Sequence, residues 1–357
     1  MTLNQLALEM WEKLGCEGID PSVISRVIKG ERTFTFKQLE IFCQVLRLSG
    51  QRKKELEGRL LLELSHRFGL RQDFFQQENE FFVDLAEENL EKISEVIVNG
   101  LPKLACEWID NVSERIREEL ALSKGEGRRK VLLSLLAKLL LERRRVVMQV
   151  SEPKEITNRT WAYTKELKVI ALKLKDITLV KLANLGMGTT LRVSGKYKEA
   201  LTYLKDVTDL DIADTYEITC FIREAALSQA LSKNWPEYEK VKTFLEEKIS
   251  NYPTQLQCLA AEGLARCEGI MENVKGASKA LDKAWKLFDE VERQGADYRL
   301  FRKVELARTE LELAIRFKSK NKNHLEKVGR EALIISRELG YKRQEKEIES
   351  SINRLLN

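Results

Sequence analysis

Apolar residues recur at three- and four-residue spacing along almost the whole chain, as in LKVIALKLKDITLVKLANL over 167–185. That spacing keeps one face of a helix apolar, and no sustained two-residue alternation bounded by turns competes with it. The pattern predicts an all-α protein. Pro21, Pro102, Pro153, Pro236 and Pro253 each fall where a helix would start, a place that suits a residue with no backbone N–H to donate. With Gly30, Gly50, Gly100, Gly125, Gly127 and Gly195 they divide the chain into helices of roughly 10 to 25 residues, and helix hairpins are the expected unit. The longest apolar run, VLLSLLAKLLL at 131–141, is interrupted by Lys138. It has about half of the roughly 20 residues that span a bilayer, so it reads as a buried bundle helix.

One short stretch, PSVISRVIKGER at 21–32, has both helix ends specified. Asp20 suits the N-cap, Pro21 the first helical position and Gly30 the C-cap, which predicts a helix over 21–29. Ile24 and Val27 share its apolar face. Ser22, Ser25, Arg26 and Lys29 point outward, with Val23 beside them. A turn carrying Arg32 follows, and Thr35-Phe36-Lys37-Gln38 has the form of a capping box that opens a second helix with Leu39, Phe42 and Leu46 as its buried stripe.

Charge changes this picture only locally. The 357 residues include 61 basic and 56 acidic ones, a net charge of +5, too small for a global signature of nucleic-acid binding. From Ile24 to Lys37, however, Arg26, Lys29, Arg32 and Lys37 stand against Glu31 alone.

Residues 1 to 50 resemble the helix-turn-helix of the lambda-repressor-like (XRE) family, in which a segment like SVISRVIKGER is the recognition helix with its exit turn and one like FKQLEIFCQVLRL follows. The resemblance implies that Ser22, Val23 and Arg26 face base edges in the major groove and that Ser25, Lys29, Arg32 and Lys37 face phosphates. One departure is the leading segment LEMWEKLG, where the family has a short helix only a few residues ahead; here that helix is lengthened, missing or fused.

Residues 51–150 read as a helical linker, a dimerisation segment or degenerate repeats. QRKKELEGRLLLELSHRFG is one amphipathic helix; FFQQENEFFVDLAEENLEKISEVI is another, with Phe74, Phe75, Phe81 and Phe82 as core anchors. Arg128, Arg129 and Lys130 precede the apolar run at 131–141 and Arg143, Arg144 and Arg145 follow it, as cationic ends of a buried helix or a contact for nucleic acid or an acidic partner.

Residues 151–357 hold the repeats. LANLGMGTTLRVSGKYKEALTYLKDV resembles a tetratricopeptide unit, with Gly188, Leu191, Gly195, Tyr197, Ala200, Leu204 and Val207 at its spacings. Looser copies run through REAALSQALSKNWPEYEKVKTFLEEKI, LAAEGLARCEGIMENVKGASKALDKAWKLF and VELARTELELAIRFKSKNKNHLEKVGREALIISRELG, and YKRQEKEIESSINRLL reads as a capping helix closed by Ile348, Ile352 and Leu355. The resemblance implies a right-handed α-solenoid whose concave face is lined by the first helix of each pair. In that register Leu185, Thr189 and Arg192 face the groove with Asn184 nearby, and Arg223, Arg266 and Arg302 follow on later helices. Amides pair with peptide backbone in both directions and guanidinium clamps carboxylate, so Asn184, Thr189, Arg192, Arg223, Arg266 and Arg302 are the candidate peptide-binding residues.

Enzymatic signatures are missing: there is no H-E-x-x-H, G-x-S-x-G, phosphate loop or dinucleotide fingerprint, and His66 and His324 are far apart in sequence. No catalytic residue, metal or cofactor is therefore expected. The six cysteines form no C-x-x-C pair and read as buried free thiols in a reducing cytosol. Met1 leads straight into a helical pattern, with no signal peptide or membrane segment. The combined architecture resembles the RRNPP group of bacterial and phage regulators. That likeness implies a cytoplasmic transcription regulator, acting as a homodimer on double-stranded DNA, whose repeats bind a short signalling peptide that alters operator binding. A protein-protein adaptor without DNA binding, and a regulator whose repeats only dimerise, are the alternatives.

Overall fold

The computed structural model describes residues 2–14, 20–70, 82–98, 101–151, 153–205, 214–295, 299–319 and 321–356. The chain is all-helical: seventeen helices and no strand occur among the described residues. The first four are α1 (Leu3–Leu14), α2 (Pro21–Ile28), α3 (Phe36–Val45) and α4 (Gly50–Arg67). The ends of α2 are built as its sequence dictates. Asp20 Oδ1 accepts from the Ser22 N–H at 2.7 Å. Gly30 takes φ +74°, its N–H donating to Val27 O at 3.0 Å and the Glu31 N–H to Arg26 O at 2.9 Å, a Schellman ending that a side chain at 30 would strain. At α3 both halves of the capping box form, Gln38 N–H to Thr35 Oγ1 at 3.1 Å and Thr35 N–H to Gln38 Oε1 at 3.0 Å.

Two expectations here need correction. Val23 is buried, because it stands four residues before Val27 and shares the core side of α2 with it. The buried stripe of α3 is wider than Leu39, Phe42 and Leu46: Ile41, Cys43 and Val45 are buried, Phe42 is half-buried and Leu46 is exposed. The cause is that α3 is packed on more than one side, by α1 and α4 and by a helix from the far end of the chain, α16 (Lys322–Leu339).

Next come α5 (Phe82–Val98), α6 (Pro102–Leu122) and α7 (Glu126–Val150). Phe74, Phe75 and Phe81, and the side chain of Phe82, lie outside the described residues. One core runs unbroken from Leu6 and Met10 through Ile93, Trp108 and Leu136 to Ala183. The cations before the apolar run close the α6–α7 turn: Arg129 donates to Leu120 O and Ser123 O at 2.8 and 3.0 Å, and Arg128 pairs with Glu119 at 3.1 Å.

From α7 onward the helices alternate between two layers. The inner layer is α7, α9 (Ile177–Val193), α11 (Thr215–Leu231), α13 (Thr254–Ile270), α15 (Arg299–Arg316) and α17 (Lys342–Leu356). The outer layer is α8 (Pro153–Leu174), α10 (Tyr197–Tyr203), α12 (Trp235–Ile249), α14 (Val274–Arg293) and α16. Each outer helix packs against the inner helices before and after it, and each inner helix against the next. Close approach of α9 and α10 depends on Gly188, where a Cβ would lie 2.5 Å from Leu204 Cγ, and Ala200 is fully buried. At the end Ile348, Ile352 and Leu355 of α17 are buried. Helix α17 returns to touch α7, so the inner helices enclose a central space.

Candidate functional site

The central space contains two adjoining chambers of about 160 and 700 Å3 that share Arg192, Arg266 and Arg343 as lining residues. Thr189, Arg192, Arg223, Arg266 and Arg302, drawn from α9, α11, α13 and α15, all line the smaller one. Asn184 does not; it is half-buried on α9 with its Oδ1 unpartnered. Arg144, Arg145, Arg308 and Arg343, which the groove pattern did not single out, line it as well.

Most of these guanidinium groups are held by carboxylates of the inner helices. Arg192 Nε meets Glu224 at 2.5 Å and Arg223 meets Glu262 at 2.5 Å. Arg308 pairs with Glu305 at 2.7 Å and with Glu347 of α17, while Gln344 donates to Glu305 at 3.0 Å. Arg144 reaches Glu217 at 3.2 Å, and Arg145 pairs with the same carboxylate. Thr309 adds a hydrogen bond to Glu262 at 2.6 Å. Two glycines make room for this ladder. A Cβ at Gly186 would lie 2.8 Å from Arg144 Cδ, and one at Gly263 would lie 2.7 Å from Arg223 Cγ.

Burial opposes every one of these charges, and the pairing decides the outcome. Desolvation pushes the Glu217, Glu224 and Glu262 carboxyls up, but the arginines beside them outweigh it and hold all three below the ordinary range. Glu305 and Glu347, which share Arg308, are held down to about 2 in the same way. Burial likewise works against Arg223, and Glu262 and Glu224 raise it above its usual value.

Two arginines escape the ladder. Arg302 is 7% exposed, lines the chamber, and makes no hydrogen bond or ion pair among the described residues. Arg266 has its nearest carboxylate oxygens at 3.8 and 3.9 Å, on Glu312 and Glu262, and its Nε is buried without a partner. Its pKa is lowered, first by burial and then by repulsion from Arg308. Gln149 and Gln344 also line the chamber, their Oε1 atoms buried without a hydrogen-bond partner. A cavity with under-compensated guanidinium fits a ligand that carries a carboxylate.

The other proposed surface lies on α2. Ser22, Arg26, Lys29 and Arg32 are exposed, Ser25 is half-buried, and Val23 is withdrawn into the core as described. Ile28, at the end of the helix, is exposed as well. The side chain of Lys37 lies outside the described residues. Arg143 belongs to neither surface: it is buried, pairs with Asp110 at 2.6 Å, contacts Cys106 and stacks 5.4 Å from the Tyr163 ring. Burial pushes the Cys106 thiol up to about 11. Cys43, Cys106, Cys220, Cys258 and Cys267 are free thiols, and Cys16 lies outside the described residues. No group of three or more metal-ligating side chains occurs among the described residues, nor any helix long and apolar enough to cross a membrane.

The chain matches no model of a known protein family, and a search of curated proteins found no match. Among solved structures it is similar to a circular tandem repeat protein with novel repeat topology and enhanced subunit contact surfaces, at 13% identity over 99% of this chain and 94% of that one, with a TM-score of 0.24. At that score the likeness carries no argument about fold or function.

Proposed function

We propose that the chain is a cytoplasmic transcription regulator that binds operator DNA as a homodimer. In this reading residues 1–50 are its helix-turn-helix, 51–150 its linker and 151–357 a right-handed α-solenoid of tetratricopeptide-like pairs that holds a short peptide. The observation that carries it is Arg302, a largely buried side chain that lines the chamber and makes no ion pair among the described residues. A guanidinium in that position is available to clamp a ligand carboxylate. At the other end of the chain, Ser22, Arg26, Lys29 and Arg32 present a polar, cationic helix face of the kind that docks on a duplex.

The two ends have a physical link. Helix α2 packs on α1 and α1 on α3; α3 in turn rests on α16, and α16 packs between α15 and α17, the helices that carry Arg302, Arg308 and Arg343 into the central space. A peptide shifts the DNA-binding unit only if it binds two arrangements of this contact with different affinity, and the coupling is reciprocal. The test is calorimetric titration of a peptide selected from a short-peptide library, with and without a duplex selected from random sequence. Unequal affinities support the regulator. Equal affinities reduce the repeats to a dimerisation scaffold, and salt-independent or undetectable duplex binding favours an adaptor.

A further inference from the structure

The larger chamber has a mixed wall. Val193, Leu231, Ile270, Leu313 and Ile315 share about 700 Å3 of space with Arg192, Arg266, Arg316, Arg343 and Arg354 and with the carboxylates of Glu312 and Glu347. Its cations are unequally matched. Arg192 is held by Glu224 and Arg343 by Glu347 at 2.8 Å. Arg266, its side chain 14% exposed, has no carboxylate oxygen closer than the 3.8 Å from its Nε to Glu312, and that Nε has no hydrogen-bond partner. At the rim Arg316 and Arg354 are exposed and form no ion pair among the described residues. Apolar wall around an open space gains by burial, and a nearly buried guanidinium gains by a counter-ion. One kind of molecule supplies both, and a purely apolar or purely ionic one does not.

We propose that the larger chamber is a binding site for an amphipathic organic anion, its apolar body against Leu231, Ile270, Leu313 and Ile315 and its single acidic head on Arg266. Arg316 and Arg354 stand where they would draw such an anion toward the opening, a contribution that weakens with salt. Two sources share this chemistry, a free medium-chain fatty acid and the apolar carboxy-terminal residue of a peptide. The site stands on the chamber's own lining and does not depend on DNA binding.

The experiment is a fluorescence titration of the full chain with anilinonaphthalene sulfonate, an apolar ring system bearing one anionic group. One saturable site is expected. Arg266→Gln should weaken it at least about tenfold, the loss of one charge-assisted hydrogen bond, with near-ultraviolet circular dichroism unchanged. Should that variant unfold, the exposed double change Arg316→Gln and Arg354→Gln replaces it, and is expected to weaken binding a few-fold at low salt and less at high salt. Octanoate should displace the probe where octanol at equal concentration does not. Displacement by octanoate alone assigns a fatty acid, and displacement by Gly-Leu-Leu acid but not its amide assigns a peptide terminus. The proposal is overturned by the absence of a saturable site, by octanol competing as well as octanoate, by neither anion competing, or by folded charge variants that bind like the wild type.

Discussion

Helix α2 and the inner wall of the repeats are both rich in basic side chains, and they keep them in opposite surroundings. On α2, Arg26 and Lys29 are exposed, and what positions them is settled within a dozen residues by Asp20, Pro21 and Gly30. On the inner wall, Arg192, Arg223 and Arg308 are largely buried, and their partners lie 32, 39 and 39 residues away, at Glu224, Glu262 and Glu347. The first arrangement leaves charge available to a partner molecule. The second spends it on joining one repeat to the next, and so makes Arg266 and Arg302 the informative exceptions.

The comparison breaks most visibly at Arg308. Arg308→Ala leaves Glu305 and Glu347 without their shared cation, and is expected to cost about 3–5 kcal/mol in urea unfolding. Acid tests the same ladder without a mutation. The Glu305 carboxyl is depressed to about 2 in the folded chain by Arg308 and Arg266 against the opposition of burial. A depressed carboxylate contributes stability that is complete above its unfolded value near 4.5 and is lost as pH falls toward 2. Stability should therefore drop by about 3 kcal/mol or less over that window from this group. A flat profile between pH 5 and 2 would contradict the pairing.

Smaller effects sharpen the contrast. Gly188→Val places side-chain atoms against buried Leu204 and should cost roughly 1–3 kcal/mol, read as a lower melting temperature. Asp20→Ala removes the N-cap of α2 and should cost about 1 kcal/mol. Arg26→Ala should change stability by no more than about 0.5 kcal/mol, since the side chain is exposed, while weakening a selected operator by about 1–3 kcal/mol. Equal losses on selected and random duplexes would make Arg26 a phosphate contact, and a large stability loss would show that α2 is not the free surface described here.

Helix identity, helix ends and hairpin pairing were legible in the chain because each rests on rules that reach four to six residues. The caps at Asp20, Gly30 and Thr35, the prolines at helix starts and the apolar stripe of Ile348, Ile352 and Leu355 all follow from such rules. Thr189, Arg192, Arg223, Arg266 and Arg302, which the helical spacing singles out in the sequence, line one chamber. A signal for the ladder was present too: in Glu262–Arg266 and Glu305–Arg308, charges sit among alanine and leucine on a face that should be apolar. Which carboxylate each arginine finds could not be read, since the pairs form only when separate helices stack. Nor could the return of α17 to α7, or the seat of α3 on α16. Local sequence determines which residues share a helix face; only the packed chain determines whether that face meets water, a carboxylate or another helix, because that depends on where segments tens to hundreds of residues away come to rest.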